Sequence, residues 1–213
     1  MRQIIELVWK IIRALPLSLL VLWIHPKSFL VKVGWYESFR KNRPIDKNGA
    51  PIPWFTYPTL YFLDNKLDGI FRLFEYGSGY STLWFSRKVK EVVSVENDAI
   101  WKESLSKSLT SNVELVYKKN PEDFINEIKN RGQFDIVVID GIERVKCCFA
   151  CLDNLNPDGI IIWDDSERED FKEAWLYLNS LGFREITFSG LKPALFIISQ
   201  TSILYRQHNI LGI

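Results

Sequence analysis

The stretch FEYGSGYSTLWFSRKVKEVVSVEND, residues 74–98, decides the fold. It opens on a strand-like hydrophobic piece, breaks into Glu75, Gly77, Ser78, Gly79 and Ser81, and runs on into a helix beginning at Ser81 or Thr82. A second strand-like piece, EVVSVE, ends in Glu96. Strand, turn, helix and strand in this order make a βαβ unit, and in an open parallel sheet ligands bind outside the carboxyl ends of the strands. Glycine lets the backbone approach a ligand, and a carboxylate about twenty residues past the turn can accept hydrogen bonds from ribose hydroxyls. A nicotinamide fingerprint prefers glycine or alanine at position 82, where helix and strand pack closely; Thr82 stands against it.

Outward from this unit, strands are predicted over 70–76, 91–96, 113–117, 134–140 and 159–163, with helix-like segments between most of them. The clearest helices are DAIWKESLSKSL, PEDFINEIKN and REDFKEAWLYLNSL, and TLYFLDNKL is a short one. Alternation of this kind predicts an α/β fold of parallel strands joined by right-handed crossovers. FREITFSG and a run within LFIISQTSILYR follow one another without a full helix, which predicts a terminal antiparallel hairpin.

FEYGSGYST, VVSVEND and FDIVVIDG together resemble the class I S-adenosylmethionine-dependent methyltransferases, over roughly residues 70–163. The resemblance implies a Rossmann-like, doubly wound, seven-stranded and mostly parallel sheet whose last strand is antiparallel. It also implies that the turn carrying Glu75, Gly77, Ser78, Gly79 and Ser81 holds the methionine part of S-adenosylmethionine, and Glu96 its ribose. More loosely, PIPWFTYPTLYFL, IDGIERVKC and GIIIWDD look like a bacterial subgroup of these enzymes. The expected organisation is an amphipathic helical segment over 1–27, an aromatic and proline-rich lead-in over 28–66, and a methyltransferase core over 67–213.

Asp140 follows the fourth predicted strand, and Asp164 and Asp165 follow the fifth, so three carboxylates can converge beside the methyl donor. One reading is a divalent cation such as Mg held by Asp140, Asp164 and Asp165, lowering the pKa of a substrate hydroxyl. This is similar to the catechol-type O-methyltransferases, which carry an Asp-Asn pair where this chain has Asp164-Asp165. The other reading makes Asp140 and Asp164 the catalytic pair, Asp140 as general base and Asp164 as a cap for a helix near Glu167. Arg144, four residues after Asp140, is placed to pair with it. Trp54 and Tyr57 are candidates to close over a sulfonium, with core packing as the alternative.

A formal charge of +1, from 27 basic and 26 acidic residues, gives no global field for nucleic acid, and the expectation is no nucleic-acid partner. The cysteines, Cys147, Cys148 and Cys151, lack a distant partner for a disulfide, which points to a reducing, cytoplasmic setting and buried helix positions. In MRQIIELVWKIIRALPLSLLVLWIHP the charges of Arg2, Glu6, Lys10 and Arg13 share one helical face, and the uncharged run is shorter than the roughly 20 residues of a membrane span. Residues 1–26 are therefore expected to lie on the inner membrane face, or to pack on the domain or on a second copy in a homodimer. The expected function is methyl transfer to a hydroxyl on a small-molecule, sugar or lipid-linked acceptor; the alternative is a non-catalytic cofactor-binding or scaffold protein of the same fold.

Overall fold

A computed structural model of the protein describes Ile5, Leu7 and residues 25–213. The amphipathic segment expected over 1–26 falls almost wholly outside the described residues. Among the described residues, no helix is long and apolar enough to cross a membrane.

The chain divides into two compact units. The first comprises Met1–Ala50 with Pro193–Leu195. Its helices α1 (Phe29–Val33) and α2 (Trp35–Lys41) meet at Gly34. Gly34 has φ +77°, and a Cβ there would lie 2.2 Å from the Lys47 amide nitrogen, so glycine is required on two counts. The Trp35 indole donates to the Leu195 carbonyl at 2.6 Å.

The second unit, Pro51–Lys192 with Phe196–Ile213, begins with α3 (Tyr57–Asp64), which carries the buried Tyr57; Trp54 before it is 40% exposed. Then follow β1 (Arg72–Tyr76), α4 (Tyr80–Phe85), β2 (Glu91–Glu96), α5 (Ala99–Ser106), β3 (Val113–Tyr117), α6 (Pro121–Asn126), β4 (Phe134–Ile139), α7 (Arg144–Cys151) and β5 (Leu155–Asp164). The last elements are α8 (Lys172–Ser180), β6 (Arg184–Leu191) and β7 (Ile198–Tyr205). The seven strands form one sheet in the order β3-β2-β1-β4-β5-β7-β6. The first five are parallel neighbours, whereas β7 runs antiparallel to both β5 and β6. The fold is thus the Rossmann-like, doubly wound, mostly parallel sheet with an antiparallel terminal hairpin that the sequence predicts.

Strands covered on both faces read as unbroken apolar runs. In β4 the residues Ile136, Val137, Val138 and Ile139 are all fully buried. One face packs on Phe124, Ile128, Phe171, Ala174 and Leu178, and α7 contributes its three cysteines to the same cluster as free, buried thiols. Burial pushes the Cys151 thiol up to about 12, which leaves it an inert hydrophobe. The strand order reverses between β1 and β4, the switch point beside which such sheets bind ligands.

Candidate functional site

The β1 strand delivers Glu75 to the base of the turn, fully buried. Its Oε2 accepts from the Thr82 hydroxyl at 2.5 Å and the Ser94 hydroxyl at 2.9 Å, while Oε1 has no hydrogen-bond partner. Burial raises this carboxyl to about 7, against the pull of the surrounding hydroxyls. Thr82 Oγ1 also accepts from the Gly79 amide at 2.9 Å, so the residue that spoils a dinucleotide fingerprint ties the turn to the strand below it.

Gly77 has φ +89°, and a Cβ there would come within 2.9 Å of the Asp140 carbonyl oxygen and the Gly141 Cα. Its lack of a side chain therefore serves the junction of β1 with the end of β4. Gly79 is the position with an open side, since a Cβ there would meet only the Ser81 hydroxyl, at 3.8 Å.

Glu96, at the end of β2, is nearly buried and closes the turn from the other side. Its Oε2 accepts from the Ser78 amide at 3.0 Å and the Ser78 hydroxyl at 2.7 Å, and its Oε1 accepts from the amides of Asn97 and Asp98, both at 2.8 Å. The Ser78 carbonyl in turn accepts from the Trp101 indole on α5 at 2.8 Å. Ser78 is thus gripped through its amide, hydroxyl and carbonyl.

These groups fit S-adenosylmethionine by their chemistry. Its ammonium and ribose hydroxyls are donors; Glu96 is a carboxylate acceptor at a turn whose Gly79 has an open side, and Glu75 Oε1 is a buried acceptor without a partner at the base of that turn. Of the four donors on Glu96, the Ser78 hydroxyl alone can rotate away without breaking a backbone contact.

Asp140, Asp164 and Asp165 are brought together: one carboxylate oxygen from each lies within 4.8 Å of the others. They come with two cations. Lys192, just past β6 and 3% exposed, places Nζ 2.7 Å from Asp164 Oδ2 and also against Asp165 Oδ1. Arg144 places Nη2 2.9 Å from Asp140 Oδ1 and 3.5 Å from Asp165 Oδ2, with Nη1 on the Asp164 carbonyl. Thr201 donates to Asp164 Oδ1 at 2.7 Å, and Ser199 to Asp165 Oδ1 at 3.3 Å. Asp165 has φ +51°, a left-handed conformation that aspartate tolerates better than most residues.

Burial opposes the charge on Lys192, but Asp164 and Asp165 outweigh it and hold the ammonium above its ordinary value. Burial likewise opposes the charge on Asp165, and Lys192 and Arg144 outweigh it, keeping that carboxyl low. Asp140, whose side chain is 26% exposed, is held well above the ordinary range by desolvation and the neighbouring Asp164 charge, against Arg144 and Lys192.

Asp164 caps no helix. The next helical turn, a 3-10 turn over Glu169–Phe171, has Arg168 at its N-cap, while both Asp164 oxygens face Lys192 and Thr201. Sequence reasoning missed Lys192 and Trp101. The signal for Lys192 was a single cation in SGLKPAL at the foot of the hairpin, which carries meaning only once β7 is known to insert beside β5.

Residues 74–166 match a family model described as a methyltransferase domain. No curated protein matches the chain significantly. Among solved structures, an rRNA methylase from Streptococcus thermophilus superposes with a TM-score of 0.54 at 16% identity, over 70% of this chain and 95% of that one. A precorrin 8w decarboxylase from Methanobacterium thermoautotrophicum gives 0.55 at 19%, over 80% of this chain and 97% of that one. A protein from Streptococcus mutans solved in complex with S-adenosylhomocysteine gives 0.50 at 14%, over 70% and 96%. These likenesses correct the expected partners. The fold is shared with an rRNA methylase, so a near-neutral net charge neither excludes nucleic acid nor confines the acceptor to small, sugar or lipid-linked molecules. Net charge reports the global field, whereas nucleic acid is held by local groups.

Proposed function

We propose that this chain, whose residues 74–166 match a methyltransferase-domain model, is a class I S-adenosylmethionine-dependent methyltransferase that methylates an acceptor hydroxyl, with the donor over the 77–79 turn and Asp140 beside the acceptor. The observation that carries the reading is the joint between β1 and β2, where Glu96 grips both the amide and the hydroxyl of Ser78. Two acidic acceptors, Glu75 and Glu96, then flank a turn whose Gly79 side is open.

When bound, S-adenosylmethionine supplies a methyl group on a sulfonium, whose carbon–sulfur bond breaks as the acceptor oxygen takes the carbon. The protein's part is alignment and one proton. Glu96 and Glu75 orient the donor, with the Ser78 hydroxyl yielding its place on Glu96. Asp140 is the carboxyl at the strand ends that combines exposure with a raised proton affinity, and it takes the hydroxyl proton. Arg144 fixes its orientation through Oδ1. Positioning of this kind is sufficient in principle to supply most of the rate enhancement.

The test is transfer of a labelled methyl group from S-adenosylmethionine, with RNA and small-molecule extracts as separate acceptor pools, because a ribose carries a hydroxyl as a metabolite does. Asp140→Asn should lower turnover ~10²–10⁴-fold and leave S-adenosylhomocysteine affinity unchanged. Wild-type turnover should rise with pH through the raised Asp140 titration, and the variant's residual turnover should not. Tight cofactor binding with no labelled product in any pool would instead favour the non-catalytic alternative.

A further inference from the structure

We propose that the Lys192 ammonium occupies the cation position of the Asp140–Asp164–Asp165 cluster, so that these carboxylates form a closed set of ion pairs and need no divalent metal. Three carboxylates at the ends of β4 and β5 look like a hard-cation site when the sequence is read alone. The structure adds what the strand ends conceal. Five of the six carboxylate oxygens already accept from this chain: Asp140 Oδ1 from Arg144, Asp164 Oδ1 from Thr201, Asp164 Oδ2 and Asp165 Oδ1 from Lys192, and Asp165 Oδ2 from Arg144. Among the described residues, Asp140 Oδ2 is the exception.

A magnesium-like ion wants near-octahedral oxygen ligands at about 2.0–2.1 Å. To gather them here it would have to expel Lys192, which is 3% exposed and would be left buried without counter-charge. Charge points the same way. Lys192 and Arg144 offset two of the three carboxylates, so at most one negative charge is left over, and a proton on Asp140 removes it. Asp140, the acid with an oxygen to spare, is also the one proposed above to take the acceptor's proton. That consequence rests on the methyltransferase reading; the occupancy of the cluster by Lys192 does not.

The probe is Mn²⁺ added to the full-length protein, followed by electron paramagnetic resonance and by thermal unfolding, neither of which needs methyl transfer. Wild type should show no saturable Mn²⁺ binding at millimolar concentration and the same melting temperature in chelator. Lys192→Met should melt lower by roughly 10 °C, gain a saturable Mn²⁺ site and recover part of the loss when Mn²⁺ is added. The double change Lys192→Met with Asp165→Asn returns the cluster to the wild-type surplus of one carboxylate, so it should melt higher than the single variant and lose the Mn²⁺ response; it carries the test if the single variant does not fold. Saturable Mn²⁺ binding by wild type that Asp165→Asn abolishes would overturn the proposal. So would a folded Lys192→Met that ignores Mn²⁺. Failure of the methyltransferase reading would show separately, as absent S-adenosylhomocysteine binding.

Discussion

Glu75 has one acceptor more than its surroundings satisfy, and its carboxyl sits at about 7 where an ordinary one sits at 4.5. A raised acid means that the folded state binds the proton more tightly than the unfolded chain, so stability falls as pH climbs from the lower value to the higher. The loss should reach about 3 kcal/mol by pH 8. Glu75→Gln should remove this share and leave that of the other raised acid, Asp140: urea unfolding at pH 5 and pH 8 should give a smaller difference than in wild type, and an unchanged difference would refute the assignment. Ser78 offers a second residue-scale test. If its hydroxyl merely holds the place of a ribose on Glu96, Ser78→Ala should bind S-adenosylhomocysteine as well as wild type or better by calorimetric titration, whereas a tenfold loss would mean that the hydroxyl itself contacts the ligand. Glu96 and the glycine turn were legible because a residue after a strand has few places to go. The Glu75 orphan was not, because burial and hydrogen-bond partners depend on Ser94, nineteen residues away on another strand.

At the scale of elements, strand–turn–helix alternation located every strand of the sheet, since period and punctuation are local properties of the chain. Boundaries shifted where tertiary contacts decide. Residues 70 and 71 stay outside β1 because Phe71 closes a turn on Asp68, and β5 begins at Leu155 because that residue pairs with Phe134. At the joints between elements, too, tertiary neighbours decide. Gly77, expected where a ligand meets the backbone, also has the end of β4 against the space that a side chain would fill. Gly77→Val should therefore destabilise the domain by several kcal/mol, through the positive φ and the contact with Asp140 together, and a variant with wild-type melting but no cofactor binding would restore the ligand explanation. Trp101 makes the opposite kind of joint, reaching from α5 to the Ser78 carbonyl. Trp101→Phe keeps the ring and loses the donor, so it should weaken S-adenosylhomocysteine binding roughly two- to tenfold with little change in melting temperature.

For the whole molecule, the sheet order is what turns separate strand ends into a site. β1, β4 and β5 stand side by side, so the glycine turn, Asp140 and Asp164 meet at one edge, and the antiparallel β7 brings Thr201 and the neighbouring hairpin residue Lys192 to the same place. None of this long-range pairing is written in a local pattern, which is why three acids could be read as a metal site without the lysine between two of them. Net charge was a poor guide for the related reason that +1 sums over the chain and says nothing about where charge lies. Everything proposed for the strand ends requires the β1–β2 joint to bind S-adenosylmethionine. Calorimetric titration of S-adenosylhomocysteine into wild type and Glu96→Ala measures it directly, with NADH as the control ligand. Wild type should bind saturably, one to one; Glu96→Ala should stay folded with affinity lowered roughly 10- to 100-fold; and NADH should not bind. Equal affinity in wild type and variant, or binding of NADH in place of S-adenosylhomocysteine, would contradict it.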